Sequence, residues 1–184
     1  NDNGYILCGY GSETAGVLIK TDSLGTILWS KSYTGTASTG YSMGFYCLEI
    51  TSDNNFIICG LIGNIMSNPN KNMLLVKIDT DGNVIWSNNI GYASIYDEGF
   101  SVKQLSDGSF IIAGSHDDFN SQIHSYVVKT DLNGSTGCNE SFFTPLVYDL
   151  PYSDSLFTYQ TIQGIPSNSL SFVMSSSSHT ELTP

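Results

Sequence analysis

The sequence contains no arginine, and all six of its basic residues are lysines. Only 12% of residues are charged, and 17 Asp and Glu leave a formal net charge of -11. A nucleic-acid partner needs a basic track to neutralise phosphates, so none is expected. An anionic membrane surface is disfavoured on the same ground. No apolar run is long enough to span a bilayer as a helix, and no direct membrane insertion is expected. Proline is nearly absent before Pro145, with Pro69 alone. No Ser-His-Asp or Cys-His constellation has a family context around the three histidines. The chain opens inside a turn-and-strand frame, with no initiator Met or signal peptide, which predicts a piece of a longer chain. Low charge with abundant Asn, Ser, Thr, Gly and Tyr leans toward an extracellular β protein.

What is present is a recurring frame. It reads Lys77-Ile78-Asp79-Thr80-Asp81-Gly82-Asn83-Val84-Ile85-Trp86 in the middle of the chain. Lys20, Asp22, Gly25 and Trp29 occupy its positions earlier at the same spacing; Lys129, Asp131 and Gly134 occupy them later, with Cys138 in place of the third Trp. A second frame precedes each copy: Asp2-Asn3-Gly4-Tyr5-Ile6-Leu7-Cys8-Gly9, then Asp53-Asn54-Asn55-Phe56-Ile57-Ile58-Cys59-Gly60, then Asp107-Gly108-Ser109-Phe110-Ile111-Ile112-Ala113-Gly114. The period is about 50–57 residues, the size of a propeller blade or solenoid unit. Each apolar run closed by Gly reads as a strand. Asp-x-x-Gly between runs reads as a hairpin, because Gly accepts positive φ and Asp bonds its own turn.

One unit then has four strands, expected in the middle copy at about 44–50, 55–61, 72–79 and 83–89. The Trp supplies area where one small sheet packs on the next. The fold class predicted is all-β: a partial β-propeller of four-stranded antiparallel blades with a β-rich C-terminal extension. Blades occupy 1–140, the first incomplete, and the extension and linker occupy 141–184. The remaining blades lie upstream or come from neighbouring subunits. After Cys138 the repeat ends, and short strand-like runs are expected at 142–150, 156–163 and 170–175.

These motifs resemble known families. Asp-x-x-Gly-x-x-x-Trp is similar to the tryptophan-docking motif of quinoprotein-type propellers. The two frames together, with Gly137-Cys138-Asn139 at their end, resemble the repeat propellers of secreted Bacteroidota proteins exported by type IX secretion. The resemblance implies a secreted, outer-membrane or cell-surface location. It implies a structural role for the docking Trp and marks no cofactor, so none is expected.

Candidate chemistry is sparse. Asp79-x-Asp81-x-Asn83 has the oxygen spacing of a calcium loop, yet Ser23 and Leu24 interrupt it in the first copy, so a turn is the expected element. A sialidase-type carboxylate clamp needs arginines, which are missing. His116, Asp117, Asp118 and His124 read as a polar loop before a metal site. Ser23 and Ser155 lie in Asp-Ser-apolar triplets that fit Bacteroidota O-glycosylation. Cys8, Cys47 and Cys59 read as small buried residues, Cys8 and Cys59 too far apart to bridge, and Cys138 as free or externally paired. In propellers, blade crossings and the loops between second and third strands share one face. That face is expected to gather Tyr10, Tyr41, Met66, Tyr92, Tyr96, His116, Asp117, Asp118 and Phe119 and to bind protein or carbohydrate. The leading reading is a non-enzymatic interaction or adhesion platform. The alternatives are an exported polysaccharide- or peptide-acting enzyme with its catalytic groups elsewhere, and a structural part of an extracellular assembly.

Overall fold

A computed structural model describes residues 3–11, 15–35, 41–64, 71–91, 96–118, 120 and 122–151. Among them are twelve strands and no helix: β1 (Tyr5–Tyr10), β2 (Gly16–Thr21), β3 (Ile27–Thr34), β4 (Tyr41–Ile50), β5 (Phe56–Asn64), β6 (Lys71–Ile78), β7 (Val84–Ile90), β8 (Asp97–Gln104), β9 (Phe110–Asp117), β10 (Ile123–Lys129), β11 (Glu140–Phe142) and β12 (Leu146–Asp149). They form three antiparallel sheets, ordered β1-β2-β3-β12, β4-β5-β6-β7-β11 and β8-β9-β10. The fold is all-β. No helix of the described residues is long and apolar enough to cross a membrane.

The middle sheet explains why its strands read as unbroken apolar runs. Phe56, Ile58, Ile62, Leu74, Val76 and Ile78 join one core with Leu18, Tyr33 and Phe45. The alternate residues Ile57, Cys59, Met73 and Leu75 join a second core with Val102, Phe110 and Ile112. Both faces of this sheet are therefore buried, as adjacent residues point to opposite faces. Each fully buried aliphatic side chain contributes about 1.5–3 kcal/mol.

The two junctions exchange a large and a small residue at one contact. Phe45 fills the space over Gly16, where a Cβ would lie 2.7 Å from its ring. At the matching contact of the second junction Met73 fills the space over Gly99, where a Cβ would lie 3.0 Å from its Cγ.

The hairpin turns repeat closely. Asp22 Oδ1 accepts from the backbone N–H of Leu24 and Thr26, Asp79 Oδ1 from Asp81 and Asn83, and Asp131 Oδ1 from Asn133 and Ser135, all at 2.8–2.9 Å. Gly25, Gly82 and Gly134 have φ of 88°, 79° and 79°, the left-handed region that only Gly adopts without strain. Asn83 Nδ2 donates to Asp79 Oδ2 at 2.9 Å, so both oxygens of Asp79 serve the turn expected from the sequence. The frame lysines bind the preceding turn: Lys77 Nζ lies 2.6 Å from Asp53 Oδ2 and Lys129 Nζ 3.3 Å from Asp107 Oδ2.

Each Trp meets the glycine turn of the next sheet. A Cβ on Gly82 would lie 3.1 Å from Trp29 Cη2, and one on Gly134 would lie 2.5 Å from Trp86 Cη2. Each of those glycine carbonyls also accepts a buried side-chain donor, Tyr33 Oη at 2.7 Å for Gly82 and Asn88 Nδ2 at 2.6 Å for Gly134.

The compact unit reaches Leu150, beyond the boundary expected at 140. After the third sheet the chain turns back. β11 pairs outside β7, and β12 pairs outside β3. Ser87 and Ser30, each following the frame Trp, donate their hydroxyls to the carbonyls of Phe143 and Leu150. The runs expected at 156–163 and 170–175, and Ser155, lie outside the described residues.

Cys8, Cys47, Cys59 and Cys138 are free, and Cys138 is exposed. Cys47 is the direct cross-strand partner of Cys59. Burial pushes the Cys8 thiol up to about 11 and the Cys59 thiol higher still, which disfavours the reactive thiolate.

Candidate functional site

The hairpin frame carries the fold. Two of its carboxylates are held low by the turn: Asp22 by the backbone N–H of Thr26 first, and Asp79 by bonds from Asn83 that outweigh its partial burial. Ser23 is exposed on the first of these turns.

The opposite ends of the strands bring other groups together. β6 and β8 begin there, β7 and β9 end there, and an isolated bridge joins Lys71 to Tyr96. Asp97 is the first residue of β8 and pairs with His116, the penultimate residue of β9. Asp97 is 1% exposed, and its Oδ1 lies 2.6 Å from His116 Nδ1. The His116 ring packs on Tyr126 with centroids 5.4 Å apart. Lys71 Nζ sits 5.0 Å from the Tyr96 ring centroid and 3.7 Å from Glu98 Oε1. Asp97 Oδ2 and Asn72 Oδ1 are buried without a hydrogen-bond partner.

Tyr96 and His116 therefore do share one end of the fold. Asp117 is joined to them through its backbone N–H, which donates to the Tyr96 carbonyl at 2.7 Å. Asp118 stands in its own turn, bonding the N–H groups of Asn120 and Gln122, with His124 Nε2 3.3 Å from its other oxygen. The two histidines are thus held by different carboxylates. Among the described residues no three His, Cys, Asp or Glu side chains converge as a metal-binding group. Tyr92 and Phe119 lie outside the described residues. Tyr41 opens β4, and its side chain lies outside them too.

A third feature lies along the free edges of β4 and β8. The pairing of β4 with β5 slips between Phe45 and Cys47, and that of β8 with β9 slips between Gly99 and Ser101. Each slip is a bulge that turns out one extra residue, Tyr46 and Phe100. They are 42% and 50% exposed, and their rings stack 5.8 Å apart at 25°. Tyr10, 50% exposed, lies against Gly44 beside Tyr46. The result is a row of half-exposed aromatic rings across all three sheets. Partial burial, with Glu98 and Tyr10 nearby, raises the Tyr46 hydroxyl.

Sequence reasoning missed Tyr46, Phe100, Asp97 and Asn72. The signal for the aromatic pair was present, because both fall at the same place in successive copies of the first strand. The signal for Asp97 was its contrast with Met43, which pairs with Ile62 as Asp97 pairs with His116. In comparisons with known proteins, the chain matches no family model and no curated sequence.

Proposed function

We propose that the three sheets are blades of a partial β-propeller and that the protein is a non-enzymatic, secreted or cell-surface interaction platform. The observation carrying this reading is the aromatic row Tyr10, Tyr46 and Phe100. Bulges at matching positions hold two of its rings in the open, where core-forming aromatics would be buried. Half-exposed rings in line suit an extended carbohydrate or a protein surface, because a ring offers contact area with little conformational entropy to lose. The Tyr96, Lys71 and Glu98 group at the loop end adds polar contacts beside it. The fit to a platform over an enzyme rests on the carboxylates: Asp22, Asp53, Asp79, Asp107 and Asp118 are all held low by bonds made within the turn region or to its frame lysine.

The test is retention of the protein in native gels cast with a panel of soluble polysaccharides, and on immobilised extracellular proteins. A Tyr46→Ala/Phe100→Ala double variant is expected to fold with a thermal midpoint near that of the parent and to lose retention at least about tenfold, as truncating two hot-spot aromatics removes. Unchanged retention in the double variant removes the row from the function. Shortening of a polysaccharide by the parent protein favours the exported enzyme instead.

A further inference from the structure

We propose that the loop end of the second junction holds a calcium ion over Gly91, bound by Asp97 Oδ2 and Asn72 Oδ1. Both oxygens are buried and without a hydrogen-bond partner. Both point to one place: a Cβ on Gly91 would clash with Asp97 Oδ2 and lie 2.9 Å from Asn72 Oδ1. Gly91 has φ of 148°, so a side chain there is strained as well as crowded. Two acceptors that converge without a donor repel each other, and a buried carboxylate without full compensation is costly. A cation between them removes both penalties.

The same chain supplies the comparison. In the first junction the matching positions are Met43, Ile62 and Ala15, read from the pairing of Met43 with Ile62 and from the equal offset of Ala15 to Lys20 and Asn72 to Lys77. Met43 and Ala15 are buried, and Ile62 packs in the core. The junction closes well with apolar residues, so packing does not require Asp97, His116 and Asn72. His116 takes the other carboxylate oxygen and fixes the orientation of Asp97. Lys71, the nearest cationic side chain in sequence, is turned to Glu98 and the Tyr96 ring. A carboxylate and an amide oxygen are hard donors, which suit calcium with main-chain oxygens and water completing its shell.

The competing arrangement has the Asn72 amide turned over, so that Nδ2 donates to Asp97 Oδ2 and no ion is needed. Calcium titration of the whole chain separates the two, read by thermal unfolding and by terbium luminescence sensitised through nearby tyrosines. Binding is expected with a Kd on the order of 10⁻⁴–10⁻³ M, raising the thermal midpoint at about 10 mM calcium by several degrees. Asn72→Ala should weaken binding at least about tenfold, since losing even a group that only supports a metal ligand costs that much. A triple variant, Asn72→Ala/Asp97→Met/His116→Ile, copies the first junction and should fold while losing the calcium response. Asp81→Asn, on an exposed turn, should keep it. A midpoint that calcium leaves unchanged, an equal rise with sodium chloride of the same ionic strength, or a triple variant that still responds would each overturn the proposal.

Discussion

A single aspartate organises each hairpin, and it does so through bonds to backbone N–H groups two and four residues ahead. Such bonds favour the charged carboxylate. Asp107 in the other turn type is held at about 2 by the Ser109 hydroxyl and N–H and then by Lys129, against an ordinary 3.8. A group whose folded pKa is depressed adds stability above its unfolded pKa and loses it as pH falls through the folded value. Urea midpoints are therefore expected to fall between about pH 4 and pH 2, and Asp107→Asn should flatten that fall. This level of the structure was legible in sequence because the bonds are local: donor and acceptor sit within four residues, so the spacing itself carries the geometry. Asp97 was legible only through its contrast with Met43 in the preceding copy: taken alone, an aspartate before Glu-Gly reads as a surface turn, and its burial depends on strands brought in from elsewhere in the chain.

At the scale of elements, the alternation of large and small residues sets which faces meet. Phe45 on Gly16 and Met73 on Gly99 are the same contact with the volumes exchanged. Phe45→Gly should cost about 3–5 kcal/mol through the cavity it leaves. Gly16→Met should cost about 1–3 kcal/mol by overfilling the space. The double variant copies the second junction, and its loss should fall below the sum by about 2 kcal/mol in a urea denaturation cycle. Strictly additive losses would mean that the two positions do not share the contact. The middle strands came out within about three residues of the expected ranges, because both faces of that sheet are buried and the apolar runs are dense. The bulges at Tyr46 and Phe100 were hidden, since each only shifts the alternation by one residue, a mark too slight to read within a single strand of eight to ten residues. β11 and β12 were hidden for a different reason: three- and four-residue strands pair with partners far away in sequence and carry almost no periodicity of their own.

Across the whole unit, the return segment covers the outer edges of two sheets that would otherwise present bare ladder groups. Bare edges template pairing between molecules. A chain ending at residue 139 should keep its three sheets yet associate, seen as a concentration-dependent shift in size-exclusion chromatography and a rise in thioflavin fluorescence. A truncated chain that stays monomeric would show that the edges are protected by other means. The pairing of Lys31 with Asp149 joins residues 118 positions apart. At a synthesis rate of about 5–20 residues per second, β3 waits roughly 6–24 seconds for its outer neighbour to be made. During that interval the first sheet is a client for any holdase that grips an open strand, and the last residues of the unit act as a clock that ends its dependence.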